Sequence, residues 1–221
     1  MLTTHQKPVT ILLANDHSIL RTGILAVLAE AGDMTVVGEA QDGFEMQKLV
    51  AKLRPQILLL EMEMPGLHPI ELQRWVRKHS PKTITVVLSA HDRDDYLAMM
   101  MEAGTAGYLC KNETAEQLVN AIRRAAQGEM LFDQAQFARA RQWQEEVGSR
   151  LKQLTRRERQ ILELLGKGLD SKSIAGVVDV SVKTVSYHIT NIISKLGVQS
   201  RQEAAIWAVK NLSDDLELFP S

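Results

Sequence analysis

Ile57-Leu58-Leu59-Leu60-Glu61-Met62-Glu63-Met64-Pro65-Gly66 decides how this chain folds. Four consecutive branched aliphatics, bounded by turn residues, form the pattern of a strand buried on both faces, as strands of a parallel sheet are. A carboxylate follows at once, at Glu61. The carboxyl edge of such a strand is where open α/β sheets place their ligands and chemistry. Pro65 shapes the loop that leaves it.

Outward from this segment, 9–14, 34–37, 83–88 and 107–109 are further short runs, mostly of Val, Ile and Leu, bounded by turn residues. With 57–60 they make five expected strands. Helical periodicity fills the intervals at 19–31, 44–53, 70–78, 94–103 and 115–127. Gly32, Gly104 and Gly128 stand as stops after three of these helices. Five successive β-α units predict a doubly wound parallel sheet with its site along one edge.

Past residue 128 the pattern changes. The stretch 129–149 holds Phe132, Phe137 and Val147 among Gln-rich sequence, a thin apolar stripe that reads as a semi-ordered connector. Beyond Leu151 no strand is evident, and 155–165, 171–178, 182–196 and 200–211 each read as a short helix. Thr155 and Glu158 have capping-box spacing at the first of them. The fold class is therefore α/β plus all-α: a five-stranded doubly wound parallel sheet, then a four-helix unit.

A length of 221 residues suits one or two domains, and a 45% hydrophobic content suits real cores. No apolar run approaches the roughly 18 to 20 residues that span a bilayer, which argues against a membrane partner. Residues 1–9 lack a charged segment followed by an apolar one, so no secretory leader is read. Cys110 is the only cysteine; no internal disulfide can form, and a reducing, cytoplasmic setting is expected. From residue 150 to 211 there are eleven Lys and Arg against five Asp and Glu, a net of +6. With −1 for the whole chain, the remainder holds −7. A basic module joined to an acidic one points to a nucleic-acid partner for the basic half.

The strand ends supply the chemistry. Asn15 and Asp16 end the first strand, Glu61 the third, Ser89 the fourth and Lys111 the fifth. A hard cation such as Mg²⁺ takes oxygen ligands, and Asp16 with Glu61 could offer two. Together with Asn15-Asp16-His17, Ser89-Ala90 and Lys111, the 57–66 segment resembles the phosphorylation pocket of a bacterial response-regulator receiver domain. The resemblance implies a metal-ligand role for Asp16, a switch hydroxyl at Ser89, an aromatic switch at Tyr108 and a phosphate-pairing ammonium at Lys111. Two positions depart from the family's pattern. Asn15 stands for one carboxylate of its acidic pair, and Glu61 stands for the phospho-accepting Asp. Glu61 then has three readings: a built-in phosphate mimic, an inactive site, or a weak acceptor.

The segment from Leu154 to Arg201 resembles the LuxR-type helix-turn-helix of NarL/FixJ response regulators, ending in Lys195-Leu196-Gly197-Val198-Gln199-Ser200-Arg201. In such a fold the helix from about Val182 enters the major groove of double-stranded DNA, and dimers read paired half-sites. Val182, Val185, Ile189 and Ile192-Ile193 then form the inward stripe. Lys183, Ser186, Tyr187 and Thr190 face the bases, and Lys172, Thr184, His188, Lys195 and Arg201 face phosphates. Family members often carry a basic residue where this chain has Ser186 or Thr190. The expected organisation is a receiver at 1–128, a linker at 129–149, a DNA-binding domain at 150–213 and a tail at 214–221.

These residues predict a cytoplasmic, dimeric transcription regulator that is not an enzyme and requires no cofactor, with Mg²⁺ possible at the pocket and a sensor kinase or RNA polymerase as further partners. The alternative is an orphan receiver that sequesters a kinase or another regulator. Met99-Met100-Met101 is read as helix packing, Cys110 as a passive strand-end residue, and His17 as part of the first helical turn beside the pocket.

Overall fold

The computed structural model describes residues 7–212. The expected tail at 214–221, and most of the 1–9 stretch read for a leader, lie outside the described residues. The chain divides into two compact units, between Ala140 and Arg141.

In the first unit, strands β1 (Val9–Ala14), β2 (Met34–Ala40), β3 (Ile57–Glu61), β4 (Ile84–Ser89) and β5 (Gly107–Cys110) alternate with helices α1 (Ser18–Glu30), α2 (Gly43–Leu53), α3 (Pro69–His79), α4 (Asp94–Ala103) and α5 (Ala115–Ala126). All strand pairs are parallel, in the order β2-β1-β3-β4-β5. Ile11, Leu13, Ile57, Leu59, Val86 and Leu88 point to the face where α1 and α5 pack, with Ile24, Leu28 and Ile122. The alternate residues Leu12, Leu58, Leu60 and Val87 are equally buried. Both faces are covered, which is why the strands read as unbroken apolar runs rather than alternating ones.

β2 extends to Ala40, beyond the expected 37. The register slips by one residue between Ile11 and Leu12, which pair with Val36 and Gly38. At Gly38 a Cβ would lie 2.8 Å from Leu53 Cδ1 and 3.0 Å from Leu12 Cδ1, so any side chain there would push these two leucine ends aside where α2 packs over the bulge.

The connector corrects the expectation of a semi-ordered segment. It is helix α6 (Gln134–Trp143), then a π-helical turn (Gln144–Gly148) and helix α7 (Ser149–Gln153). Asp133 accepts from Gln136 N at 2.7 Å and its own N–H donates to Gln136 Oε1 at 3.2 Å, a reciprocal cap. Phe132 meets Phe137 edge-on across that cap, 5.9 Å between ring centroids, as a hydrophobic staple. Ala140, Trp143, Val147, Leu151 and Leu154 are all buried and recur at intervals of three and four.

The second unit contains α7, α8 (Arg156–Gly166), α9 (Ser171–Val178), α10 (Val182–Leu196) and α11 (Arg201–Asn211). The cap of α8 is the expected one: Thr155 and Glu158 satisfy each other's backbone amides. Asp179, in the left-handed region, ends α9, and Ser181 caps α10 by accepting from Thr184 N. Val185, Ile189, Ile192 and Leu196 form the buried stripe of α10. Val182 is not in it: as the first residue of the helix it lies half exposed, short of the α8 and α9 surfaces that cover the rest of the stripe.

Candidate functional site

Strand order places the topological switch between β1 and β3, whose carboxyl ends carry Asn15 and Glu61. Glu61 is 1% exposed. Its Oε2 accepts from Asn15 Nδ2 at 3.0 Å and pairs with Lys111 Nζ. Its Oε1 turns back to the amides of Met62 at 3.0 Å and Glu63 at 3.4 Å. Asn15 is consumed as well, because its Oδ1 accepts from His17 N at 2.8 Å and its carbonyl from Arg21 at 2.7 Å.

These donors do not fit a Mg²⁺ ion as they stand. Both Glu61 oxygens are engaged and the Asn15 amide is turned to Glu61, which leaves Asp16 Oδ1, 2.9 Å from His17 Nδ1 but without a hydrogen bond among the described residues, as a lone open oxygen. A small octahedral cation wants oxygens left open to it. Among the described residues no group of three or more His, Cys, Asp or Glu could hold a metal.

Ser89 belongs to the same edge but does not turn to Glu61. Its Oγ donates to the His91 carbonyl at 2.9 Å and accepts from His91 N at 3.1 Å. Tyr108 reaches that same carbonyl with its hydroxyl at 2.7 Å. Burial raises the Tyr108 pKa, so the phenol stays a donor. His91 is thus the common partner of the two expected switch residues. Gln136 of α6 donates to the Tyr108 carbonyl at 3.1 Å. Arg139 forks onto Asp92 and Asp94 at 2.8 and 2.6 Å. The first turns of the connector therefore hold the loop that leaves β4. Cys110 beside this cluster has its thiol pKa raised by burial and by Asp92 and Glu113, which suits a passive residue.

In the second unit, Lys183, Ser186, Tyr187 and Thr190 all lie exposed on α10, and Lys172 is exposed on α9. Thr184 is half-buried with its hydroxyl on Ser181, and His188 is half-buried against Tyr187, with no hydrogen-bond partner for its Nδ1 among the described residues. Two of the residues expected at phosphates have partners within the unit. Lys195 donates to the buried Glu158 at 2.6 Å, and Arg201 bridges Ser171 Oγ at 2.6 Å and the Leu169 carbonyl at 2.8 Å. Both side chains tie helices together: Lys195 joins α10 to the buried carboxylate of α8, and Arg201 joins α11 to the start of α9.

Residues 11–123 match the family described as the response regulator receiver domain, and residues 152–208 match the bacterial regulatory proteins of the luxR family. The chain belongs to the response regulators with a LuxR-type DNA-binding domain. This response regulator is 36% identical over 208 residues to the nitrate/nitrite response regulator protein NarL of Escherichia coli strain K12, covering 92% of this chain and 96% of that one. It is 36% identical over 210 residues to the oxygen regulatory protein NreC of Staphylococcus epidermidis, covering 90% and 96%. Its fold resembles RcsB from Salmonella enterica serovar Typhimurium bound to promoter rprA, at a TM-score of 0.57 and 24% identity over 91% of this chain and 98% of that one. Family and fold class agree with the reading from the strand-end residues and the Leu154–Arg201 signature.

The sequence reading of this regulator passed over His91 and Arg139, and gave Glu158 only a capping role. An Arg three residues past a Gln gives no signal by itself. Glu158 did give one, as the partner of Thr155, but its second partner, Lys195, lies 37 positions away and was legible only in the fold.

Proposed function

We propose that this DNA-binding transcription regulator works in the cytoplasm as a homodimer on paired promoter half-sites, and that it is not an enzyme. Its receiver is set by an internal ion pair rather than by an acyl phosphate. The saturation of Glu61 supports this reading: Lys111, Asn15, Met62 N and Glu63 N take up a carboxylate that is 1% exposed. A nucleophilic carboxylate needs an open lone pair in line with the phosphoryl group.

The mimicry is partial. Lys111 is drawn to the residue-61 carboxylate as it would be to a phosphoryl group, whereas Ser89 stays with His91. Since a ligand or its mimic shifts a conformational equilibrium only by differential affinity, the bias is modest. Domain limits of 1–128 for the receiver, 129–149 for the linker and 150–213 for the reader go with this proposal. Lys183, Ser186, Tyr187 and Thr190 meet bases, and Lys172, Thr184 and His188 meet phosphates.

Selection of genomic fragments by the full-length protein, without phosphodonor and at near-physiological salt, tests the reading. A shared inverted repeat is expected, and Glu61→Ala should weaken its binding severalfold. Capture of DNA without a shared motif, or retention of label from a small phosphodonor that Glu61→Gln abolishes, overturns it.

A further inference from the structure

The hydroxyls on the exposed face of α10 have already placed their protons. Ser186 Oγ donates to the Val182 carbonyl at 3.1 Å, and Thr190 Oγ1 donates to the Ser186 carbonyl at 3.1 Å. A hydroxyl has one proton and two acceptor lone pairs, so each of these now presents acceptors only. From 182 to 190, the exposed positions are Val182, Lys183, Ser186, Tyr187 and Thr190. Among them Lys183 alone carries the donors that read guanine N7 and O6, and no Asn or Gln is present to read adenine by two hydrogen bonds, so Ser186 and Thr190 must discriminate through single contacts.

We propose that Ser186 and Thr190 select bases that present an exocyclic amino group in the major groove, adenine N6 or cytosine N4, and reject guanine and thymine at those positions. The proposal rests on α10 being the helix that faces the bases. In the major groove guanine offers only acceptors at N7 and O6, and thymine offers O4. An acceptor-only hydroxyl facing either leaves two lone pairs opposed and desolvated, so discrimination comes from the mismatch as much as from the match. The two residues are four apart, hence on one side of the helix and ~6 Å apart along it, a span of about two base steps. The exposed apolar surfaces of Val182 and Tyr187 suit a thymine methyl, which an A·T pair displays beside the adenine amino group. Adenine is therefore the favoured source of the amino group.

The test takes the motif selected by the full-length protein and replaces bases singly with analogues lacking the amino group, unsubstituted purine for adenine and 2-pyrimidinone for cytosine. Affinity is measured at one salt concentration for the wild type, Ser186→Ala and Thr190→Val. At one position per hydroxyl, amino removal is expected to weaken the wild type roughly fivefold, about 1 kcal/mol. The matching variant should then show no further loss. The analogue that produces the coupling tells adenine from cytosine. Additive losses, or guanine or thymine required at the coupled positions, overturn the inference. If Lys183→Ala and Tyr187→Ala are as silent as the hydroxyl variants at every position, the failure lies in the placement of α10, and the inference falls with it. Both hydroxyls are exposed, so circular dichroism should report unchanged folding in the two variants.

Discussion

Glu61 has one methylene more than aspartate, and the extra reach lets Oε2 meet Asn15 and Lys111 while Oε1 folds back to the Met62 and Glu63 amides. A carboxylate this buried is stable only with its partners in place. Lys111→Met is therefore expected to destabilise the receiver by about 3 kcal/mol, because an uncompensated charge remains inside. Adding Glu61→Leu to it should recover most of that loss. Urea denaturation of the single and double variants measures both, and an equal loss in the double variant would refute the pairing. The convergence of Glu61 and Lys111 was legible in the sequence, since both follow strands of one parallel sheet. The partner of Ser89 was not. Its bonds to His91 are a local turn two residues away, decided by loop geometry that strand periodicity does not encode.

Among the elements, strands that are buried on both faces read correctly from composition, and β2 was cut short only where a bulge and Gly38 break the apolar run. The connector was misread for a different reason. Its order comes from the cap Phe132-Asp133-x-x-Gln136-Phe137, whose signal is spacing rather than hydrophobic content. Replacing Asp133 with Ala should cost α6 about 1 kcal/mol and raise amide exchange over 134–138. Arg139 then fixes the helix to the β4–α4 loop. Its guanidinium pKa is raised by its hydrogen bonds to Asp92, then by those to Asp94, so the clamp remains charged throughout the usual pH range. Arg139→Met should increase hydrogen exchange across 90–95, and high salt should reproduce part of the effect in the wild type, because the pairs are exposed. Unchanged exchange in both cases would show that the loop is held by Ser89 and Tyr108 alone.

Over the whole molecule, charge and titration divide as the two units do. The reader's α8 and α10 are joined through Glu158, which is almost fully buried, accepts from the Thr155 amide and hydroxyl, and pairs with Lys195. Burial pushes its pKa up, but Lys195 and Thr155 outweigh that and bring it below the ordinary glutamate value. A carboxyl with a depressed folded pKa adds stability that is fully present above its unfolded pKa of about 4.3 and fades as pH falls through the folded value. Acid should therefore unfold the reader progressively below that point, with this carboxyl contributing. Glu158→Gln keeps the shape and removes the titration. It should lower the reader's stability at neutral pH by about 1 to 3 kcal/mol, since Lys195 loses its anion. The gap between variant and wild type should then narrow as pH falls below the unfolded value of about 4.3, where the advantage of the depressed wild-type carboxyl is progressively lost. Calorimetry of the full chain, with the reader followed separately through Trp207 fluorescence after replacement of Trp75 and Trp143 by Phe, measures that gap. A constant difference across the range would mean that the Glu158–Lys195 pair holds the helices together by shape and not by charge.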